Sequence, residues 1–348
     1  MFARNDEADK ALSNFCSIKR VVTAKINKGK TMTYGCRHLC NTIHFHQHFV
    51  SSCCTNVDGL ILGYGKDNIT SDIIKSKYSD FIEQLKTGEA PEICRNCYAL
   101  EKDFDLSQIK EIKLKTFYIS NWLHCNANCI YCVHKHLKDE NNPITDEIKI
   151  SDTYSVLPTL ESLKKDGLIA QNPVVFITGG EPALLKELPE VIEFFKDMQA
   201  GFFQIYSSAV MFSDAIDNLL KSDITTELIV SPDCADRELY KQIKRIDKFD
   251  DVINNLKKYN SGITKTQNRV ISKYICIKDV NDNEENLKAW IDLMHAIGIK
   301  NIRIDVDYDY PDKANSVIPS LFKTAKRYTT FLNMNLELTE MTLNNLKS

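Results

Sequence analysis

Three cysteines in one short segment constrain this chain more than any other feature of its sequence. Residues 121–132 read NWLHCNANCIYC, with Cys125, Cys129 and Cys132 placed just after the β-branched and aromatic run Leu114–Ile119, which predicts a strand. The thiols therefore lie on a loop at the carboxyl end of a strand, the end that carries the chemistry in parallel α/β barrels. Three thiolates in one loop can hold three irons of a 4Fe-4S cube and leave the fourth iron without a protein ligand.

The same spacing also allows a structural zinc site, because zinc sites recruit closely spaced thiols. In that alternative, His136 or His124 would join the three cysteines as the fourth ligand. Twelve cysteines occur in the chain, and its first residues, 1–10, are charged and lack the apolar stretch of an export signal. We therefore expect a cytoplasmic protein whose reduced thiols bind metal rather than form disulfides.

The second half of the sequence alternates between strand and helix patterns. Six strands are predicted, at Leu114–Ile119, Pro173–Thr178, Phe203–Ser208, Glu227–Ser231, Val270–Ile277 and Asn301–Asp307. Helices are predicted between them, for example over Ala183–Met198 and Asn283–Ile297, each followed by a glycine that can end a helix. This order implies parallel strands joined by right-handed crossovers, with helices covering the outer face of the sheet.

A second motif follows the cysteine loop by one strand and helix. Residues 178–182 read TGGEP at the end of the second predicted strand, and Tyr131 stands just before the last cysteine of the loop. With the spacing of three and then two residues between the cysteines, these features resemble the radical S-adenosylmethionine (SAM) superfamily. The resemblance implies an α/β fold, a partial (β/α)6 TIM-like barrel of parallel strands. It also implies a 4Fe-4S cluster on the three cysteines, and reductive cleavage of SAM to a 5′-deoxyadenosyl radical that abstracts hydrogen from a substrate.

The resemblance further implies which side chains contact SAM. Tyr131 would contact the adenine, Glu181 would accept hydrogen bonds from the ammonium group, and the glycines would let the backbone approach the ligand closely. Ser231 and Asp233 would lie near the ribose, whereas a helix cap followed by solvent-facing charges explains such residues equally well. The complete set expected at the SAM site is Tyr131, Gly179, Gly180, Glu181, Pro182, Ser207, Ser231, Asp233 and Arg245, the last as partner of the methionine carboxylate.

Another group of cysteines precedes the predicted barrel. Residues 34–54 and 92–100 carry them, on either side of an amphipathic helix predicted over residues 71–85. Their arrangement resembles the twitch module, a half-size relative of the SPASM domain that holds an auxiliary iron-sulfur cluster in radical SAM enzymes. The ligands that this resemblance implies are Cys36, Cys53, Cys94 and Cys97, with Cys40 and Cys54 as alternatives. Zinc remains an alternative metal for this group.

The expected organisation has three parts. Residues 1–108 would form the cysteine-rich auxiliary-cluster domain, residues 109–310 the barrel, and residues 311–348 a helical extension. The net charge of −3 with interspersed signs offers no basic stripe for nucleic acid, and no uninterrupted apolar stretch of about 18 residues suggests a membrane span.

Substrate and partners are less constrained. Arg303, Asp305 and Asp307 share one face of the last predicted strand, which inside a barrel would suit a hydroxylated or charged substrate, although an exposed edge strand would show the same alternation. The resemblance implies a peptide side chain or sugar-like metabolite as substrate and a flavodoxin or ferredoxin as electron donor. Two other protein classes fit the same cysteines, namely a zinc-stabilised binding module and a two-cluster electron-transfer protein without a radical step.

Overall fold

The computed structural model describes residues 34–36, 38–53, 60–65, 67, 69–87, 92–95, 97, 99–109, 111–132 and 153–338. Cys54 and His136 lie outside the described residues. The chain divides into two compact units. The first comprises the described residues of Met1–His44, Phe49–Lys115 and Pro158–Ala170, and the second those of Phe45–His48, Thr116–Leu157 and Gln171–Ser348. The predicted boundary after residue 108 thus falls a few residues before the division at Lys115.

The first unit contains short antiparallel strands and one long helix. Its strands are β1 (Tyr34–Cys36) paired with β5 (Leu100–Lys102), β3 (Phe49–Ser51) paired with β4 (Ile61–Tyr64), and most of β2 (Thr42–Phe45). Helix α1 (Ser71–Lys86) confirms the amphipathic helix predicted there. It buries Ile74, Tyr78 and Leu85 on one face, and the Tyr78 hydroxyl donates a hydrogen bond to the Thr42 carbonyl oxygen at 2.8 Å. This bond ties the helix to β2.

The second unit is built around a sheet of parallel strands that follow one another in chain order. They are β6 (Leu114–Ile119), β7 (Ile169–Ile177), β8 (Phe202–Ser207), β9 (Thr225–Val230), β10 (Arg269–Cys276), β11 (Asn301–Val306) and β12 (Asn335–Leu338). The six predicted strands are confirmed, and β12 adds a further strand parallel to β11. The C-terminal segment, predicted as helical, therefore also extends the sheet, and β11 is not an edge strand.

Helices connect these strands. They are α2 (Leu157–Lys165), α3 (Leu188–Asp197), α4 (Asp214–Leu220), α5 (Arg237–Lys244), α6 (Phe249–Ser261), α7 (Glu284–Ala296) and α8 (Ile318–Phe331). The single helix predicted over residues 183–198 is divided into a 3-10 turn, Pro182–Leu184, and α3, because a proline occupies the start of each element and interrupts the hydrogen-bond ladder. None of the described helices is long and apolar enough to span a bilayer.

The two faces of the sheet differ in chemistry. On the helix-covered face, the Tyr274 ring of β10 packs 5.0 Å from the Trp290 ring of α7, and Ile302 and Ile304 of β11 are fully buried. Each buried side chain of this size stabilises the fold by about 1.5–3 kcal/mol. The opposite face carries Lys273 and other charged side chains. Because side chains alternate along a strand, this polar face is the interior of a partial parallel barrel.

Candidate active site

The cysteine loop follows β6 and is held at its base by buried polar groups. The Ser120 backbone N–H and hydroxyl both donate to the Phe45 carbonyl oxygen, at 2.9 and 3.1 Å. Asn121 is fully buried, and its amide donates to the Tyr154 carbonyl oxygen at 2.6 Å. Beyond this base, the Cys125, Cys129 and Cys132 side chains are half-buried, and the Cys132 N–H donates to the Cys129 carbonyl oxygen at 3.1 Å. The hydrogen bonds of Ser120 and Asn121 thus fix the start of the loop that carries the three thiols.

The glycine turn after β7 lies directly against this loop. The Gly180 N–H donates to the Trp122 carbonyl oxygen at 3.1 Å, and the Glu181 N–H donates to the His124 carbonyl oxygen at 2.7 Å. A Cβ atom on Gly180 would stand 2.1 Å from the His124 oxygen, and Gly179 adopts a φ of +107°. We expected these glycines to admit a ligand, but what they admit here is the backbone of the cysteine loop itself.

Glu181 is buried, and its carboxylate is fully engaged within the protein. One oxygen accepts hydrogen bonds from the Ala183 N–H at 3.1 Å and the Ser207 hydroxyl at 2.8 Å. The other accepts from the backbone N–H and the hydroxyl of Ser208, both at 2.6 Å. A carboxylate has about four acceptor positions, so the ammonium contact expected for Glu181 would require one of these donors to be exchanged.

The turn after β8 supplies the Ser207 and Ser208 donors to Glu181 and also contacts the cysteine loop. Ser207 is buried and accepts a hydrogen bond from the Ala209 N–H at 2.9 Å, while the Ser208 hydroxyl lies 3.0 Å from Oδ1 of Asn126 in the cysteine loop. Ala209 adopts a left-handed conformation, with φ of 53°. Among the described residues, Nδ2 of Asn126 is buried and has no hydrogen-bond partner.

Tyr131, expected at the adenine, belongs to a buried network of three polar side chains. Its hydroxyl donates to Oδ2 of Asp233 at 2.6 Å, and the Lys244 ammonium group bonds both the Tyr131 hydroxyl and the same carboxylate oxygen. The Asp233 and Lys244 side chains are 0% and 5% exposed. Oδ1 of Asp233 accepts from the Ile275 N–H at 2.8 Å. The Asp233 carboxylate, expected near the ribose, is therefore enclosed by protein donors.

Electrostatics in this network follow from burial and pairing. Burial and the neighbouring Asp233 charge raise the pKa of Tyr131, so the phenol stays protonated. Burial opposes the charge on Lys244, but attraction to Asp233 and to the Cys129 thiolate outweighs it and raises the pKa of the lysine. The network thus contains one ion pair and one neutral phenol.

Helix α5 presents Lys244 to the loop and turns Arg245 away. Tyr240, Ile243 and Lys244 share the buried face of the helix, whereas Arg245 is an exposed C-cap residue with φ of 56°. The sequence reasoning selected Arg245 and missed Lys244, although the spacing of Lys244 from Tyr240 indicates a shared helix face. Ser231, also expected at the ribose, is half-buried just beyond β9.

A closed ring of polar side chains crosses the barrel interior. Its members are Gln204, Tyr206, Glu227, Arg269, Arg303 and Glu337. Glu227 accepts hydrogen bonds from Gln204 and Arg269 at 2.7 and 2.8 Å. Glu337 binds Arg269 and Arg303 at 2.9 and 2.7 Å. The Tyr206 hydroxyl closes the ring, because it donates to Gln204 at 3.0 Å and accepts from Arg303 at 3.5 Å. The ring joins β8 to β11, which are separated by two strands, so this face of the sheet is concave.

One ion pair lies farther along the strands toward their carboxyl ends. Lys273 of β10 binds Asp305 of β11 at 3.1 Å, with the two side chains 16% and 17% exposed. The Lys273 ammonium group also lies 5.7 Å from the centroid of the Tyr206 ring. Arg303 and Asp305 therefore face the barrel interior, and the alternative of an exposed edge strand is wrong.

The cysteines of the first unit form a separate group. Burial raises the pKa of Cys36 to about 11, the His38 N–H opposes this shift, and the thiolates of Cys53, Cys97 and Cys94 add to it. Burial raises the pKa of Cys40 to about 12, and none of the other described cysteines contributes to that shift. Cys36 is thus an electrostatic neighbour of the three other thiols expected to act with it, and Cys40 stays an alternative ligand.

Metal ligation itself is not established by these positions. Within the described part of the chain, no three His, Cys, Asp or Glu side chains are grouped so that they could hold a metal ion as they stand. Both cysteine ligand sets therefore stay predictions, supported by loop geometry and by charge proximity rather than by a preformed coordination shell.

Comparison with known proteins identifies the class of enzyme. Residues 122–291 match the sequence model of the radical SAM superfamily. A probable GTP 3′,8-cyclase of Methanocaldococcus jannaschii is 28% identical over 238 residues, which cover 63% of this chain and 73% of the relative. A dual-specificity RNA methyltransferase, RlmN, of a Sulfurovum species is 26% identical over 55% of this chain, which spans only 53% of that relative.

Among solved structures, SuiB of Streptococcus suis aligns with 91% of this chain and 72% of its own, with 14% identity and a TM-score of 0.48. The superfamily match includes the cysteine loop, the glycine turn and the Asp233–Lys244 segment. Residues 122–291 therefore form a radical SAM superfamily domain, a domain of enzymes that use a 4Fe-4S cluster and SAM.

Proposed function

We propose that Cys125, Cys129 and Cys132 hold the 4Fe-4S cluster and that the enzyme acts on a peptide side chain or a sugar-like metabolite bound inside the barrel. When bound, the cluster supplies the electron that splits SAM into methionine and a 5′-deoxyadenosyl radical, which then removes a hydrogen atom from the substrate. The observation that carries this proposal is the loop of three half-buried thiols at the carboxyl end of β6, fastened to the glycine turn of β7.

The residues around the loop suit such a group. The three thiols supply soft ligands, and the buried Nδ2 of Asn126, without a partner among the described residues, supplies a donor between two of them in sequence. A buried donor left unpaired costs about 1–3 kcal/mol, so a bound acceptor, such as a sulfide or a carboxylate, would recover that energy.

The barrel interior favours a polar substrate with little net charge. Three cations, Arg269, Lys273 and Arg303, face three anions, Glu227, Asp305 and Glu337, and they are mutually paired. The ring closes the interior with satisfied hydrogen bonds, which helps to exclude water from a reactive radical. The Lys273–Asp305 pair offers one donor and one acceptor to substrate. This balance suits a peptide or sugar-like molecule better than the triphosphate in the name of the cyclase relative.

The first unit would hold an auxiliary iron-sulfur cluster of the twitch type. Its expected ligands are Cys36, Cys53, Cys94 and Cys97. Their charges interact, and the Sγ atom of Cys36 accepts a hydrogen bond from the His38 N–H at 3.4 Å. Hydrogen bonds of this kind to thiolates are among the features that tune iron-sulfur clusters. A flavodoxin or ferredoxin would deliver the electron.

Anaerobic reconstitution tests the proposal. Reconstituted protein is assayed for iron, for a SAM-dependent change in the EPR spectrum of the reduced cluster, and for 5′-deoxyadenosine by mass spectrometry. We expect Cys129→Ala to abolish 5′-deoxyadenosine formation, while Cys36→Ala loses part of the iron but keeps the SAM-dependent spectrum. Zinc without iron on the loop thiols would contradict the proposal. Intact clusters that never yield 5′-deoxyadenosine would favour electron transfer instead.

A further inference from the structure

Tyr131 and Asp233 are expected at SAM from the sequence, but Lys244 is not, although among the described residues its pair with Asp233 is the most buried ion pair beside the cysteine loop. Lys244 is 5% exposed and Asp233 0%. A buried ammonium group requires partners for its donors, and Lys244 uses the Asp233 carboxylate and the Tyr131 hydroxyl. The ammonium group has three donors, so burial requires an acceptor besides the carboxylate, and the Tyr131 hydroxyl supplies it.

The same lysine is attached to the loop through its main chain. The Lys244 carbonyl oxygen accepts a hydrogen bond from the Asn128 N–H, and the Ile243 carbonyl oxygen accepts one from the Ile130 N–H, both at 3.0 Å. These two donors flank Cys129. The end of α5 therefore binds the loop through two main-chain hydrogen bonds and through the hydrogen bond from the Lys244 side chain to the Tyr131 hydroxyl.

The Tyr131 hydroxyl is held from two sides. It donates to Asp233 and accepts from Lys244, whose ammonium group lies 4.8 Å from the centroid of the phenol ring. With both bonds made, the ring has one orientation, and Tyr131 lies between Cys129 and Cys132 in sequence. Fixing this ring therefore fixes the turn that carries two of the three thiols.

We propose that Lys244 is a positioning residue for SAM binding. It holds the Tyr131 ring and the Cys129–Cys132 turn in the geometry that receives SAM, and the neighbouring Arg245, exposed at the helix end, does not share this role. The inference depends on the proposed function, because it assumes a cluster on the loop.

A double-mutant cycle on SAM affinity tests it. Lys244→Met, Tyr131→Phe and the double variant are reconstituted, and the dissociation constant for SAM is measured by equilibrium dialysis, with the SAM-induced EPR change as a second readout. Because Lys244 acts through Tyr131, each single variant is expected to weaken SAM binding about tenfold, and the double variant about tenfold rather than a hundredfold. The matched control is Lys241→Met, which removes a partly exposed lysine of the same helix and should keep wild-type affinity.

The outcomes separate this inference from the proposed function. If wild-type protein shows no SAM-dependent EPR change, the proposed function fails and the inference fails with it. If wild type responds and the Lys244→Met and Tyr131→Phe effects multiply, or neither weakens binding, only the inference is overturned.

Should Lys244→Met not fold, Asp233→Asn/Lys244→Met replaces it, since this pair leaves no unmatched charge. Wild-type SAM affinity in that variant would overturn the inference, because Lys244 would then serve charge balance alone. Affinity reduced about tenfold, with no further loss when Tyr131→Phe is added, would support it.

Discussion

Two carboxylates beside the cysteine loop are buried to the same degree but neutralised in different ways. Glu181 accepts four hydrogen bonds from neutral donors on the turns after β7 and β8. Asp233 accepts from a phenol and a backbone N–H and is paired with a buried ammonium group. The first arrangement joins two strand ends, and the second joins the loop to a helix. Neutral hydrogen-bond donors around Glu181 therefore stabilise the side of the loop next to the glycine turn. The buried Asp233–Lys244 ion pair stabilises the side next to α5.

Of the two carboxylates, Asp233 should show the larger loss of stability when its charge is removed. In Asp233→Asn, the Lys244 ammonium group loses its counter-charge. If the amide oxygen of the new asparagine bonds Lys244 and Tyr131, its NH2 group faces the Ile275 N–H, and two donors then oppose each other. Removing one partner of a buried ion pair costs about 3–5 kcal/mol, and we expect a loss of this size in the free energy of unfolding. Chemical denaturation of the cluster-free protein measures it.

The control for this change is Asp236→Asn. Asp236 is exposed and caps α5 by accepting from the Leu239 N–H at 2.9 Å, a role that asparagine also fills. The stability of this variant should stay within about 0.5 kcal/mol of wild type. Equal losses in the two variants would mean that the buried pair is no more important than a helix cap.

Gly180→Ala tests the dipolar side of the loop. The added Cβ would meet the backbone oxygen of His124 at 2.1 Å, and neither partner is a flexible side chain. Overpacking of this kind typically costs about 1–3 kcal/mol, and the upper end is expected here because two main-chain hydrogen bonds lie beside the clash. Thermal unfolding compares it with Gly262→Ala, where the Cβ meets the flexible end of the Lys221 side chain at 2.6 Å and Oδ1 of Asp217 at 3.2 Å, and no backbone atom. If Gly180→Ala lost less thermal stability than Gly262→Ala, the close approach of Gly180 to the His124 backbone would be refuted.

Glu181→Gln should cost less than Asp233→Asn, and this difference sharpens the comparison. The new amide NH2 would oppose a backbone N–H, but the Ser207 and Ser208 hydroxyls can rotate and accept a hydrogen bond. No unpaired charge remains, so we expect a loss of about 1–3 kcal/mol, the range for one unsatisfied buried group. Denaturant unfolding beside the exposed Glu190→Gln checks this. A loss larger than that of Asp233→Asn would reverse the ranking.

The parts of this site that could be predicted from the sequence are those that depend on local pattern. Strand β6, the cysteine loop and the glycine turn all follow from residues adjacent in the chain. Lys244 was missed because its role arises from contacts with Tyr131 and Asp233, and Tyr131 is distant in sequence. The adjacent Arg245 was instead expected to pair with the methionine carboxylate. The four donors of Glu181 come from three separate positions, which no local pattern contains. Strand β12 was missed for the same reason, since its partner β11 precedes it by a full helix.

Ala209 is the site of the smallest expected effect. Its left-handed φ of 53° costs an L-residue roughly 1–2 kcal/mol, which Ala209→Gly would recover. The glycine variant also loses about 0.8 kcal/mol of methyl burial and roughly 0.5–1 kcal/mol to a more flexible unfolded chain. These terms nearly cancel, so the free energy of unfolding should change by less than about 1 kcal/mol.

Ala209→Val provides the matched comparison, because a β-branched side chain is a genuine outlier at this φ and cannot enter a fully buried position without displacing its neighbours. It should lose more than about 2 kcal/mol, measured by the same denaturant unfolding. Equal stability of the valine and glycine variants would mean that the turn relaxes out of the left-handed region. The Ser207 and Ser208 donors would then no longer be fixed by the backbone, and Glu181 would join the two strand ends without a rigid turn on the β8 side.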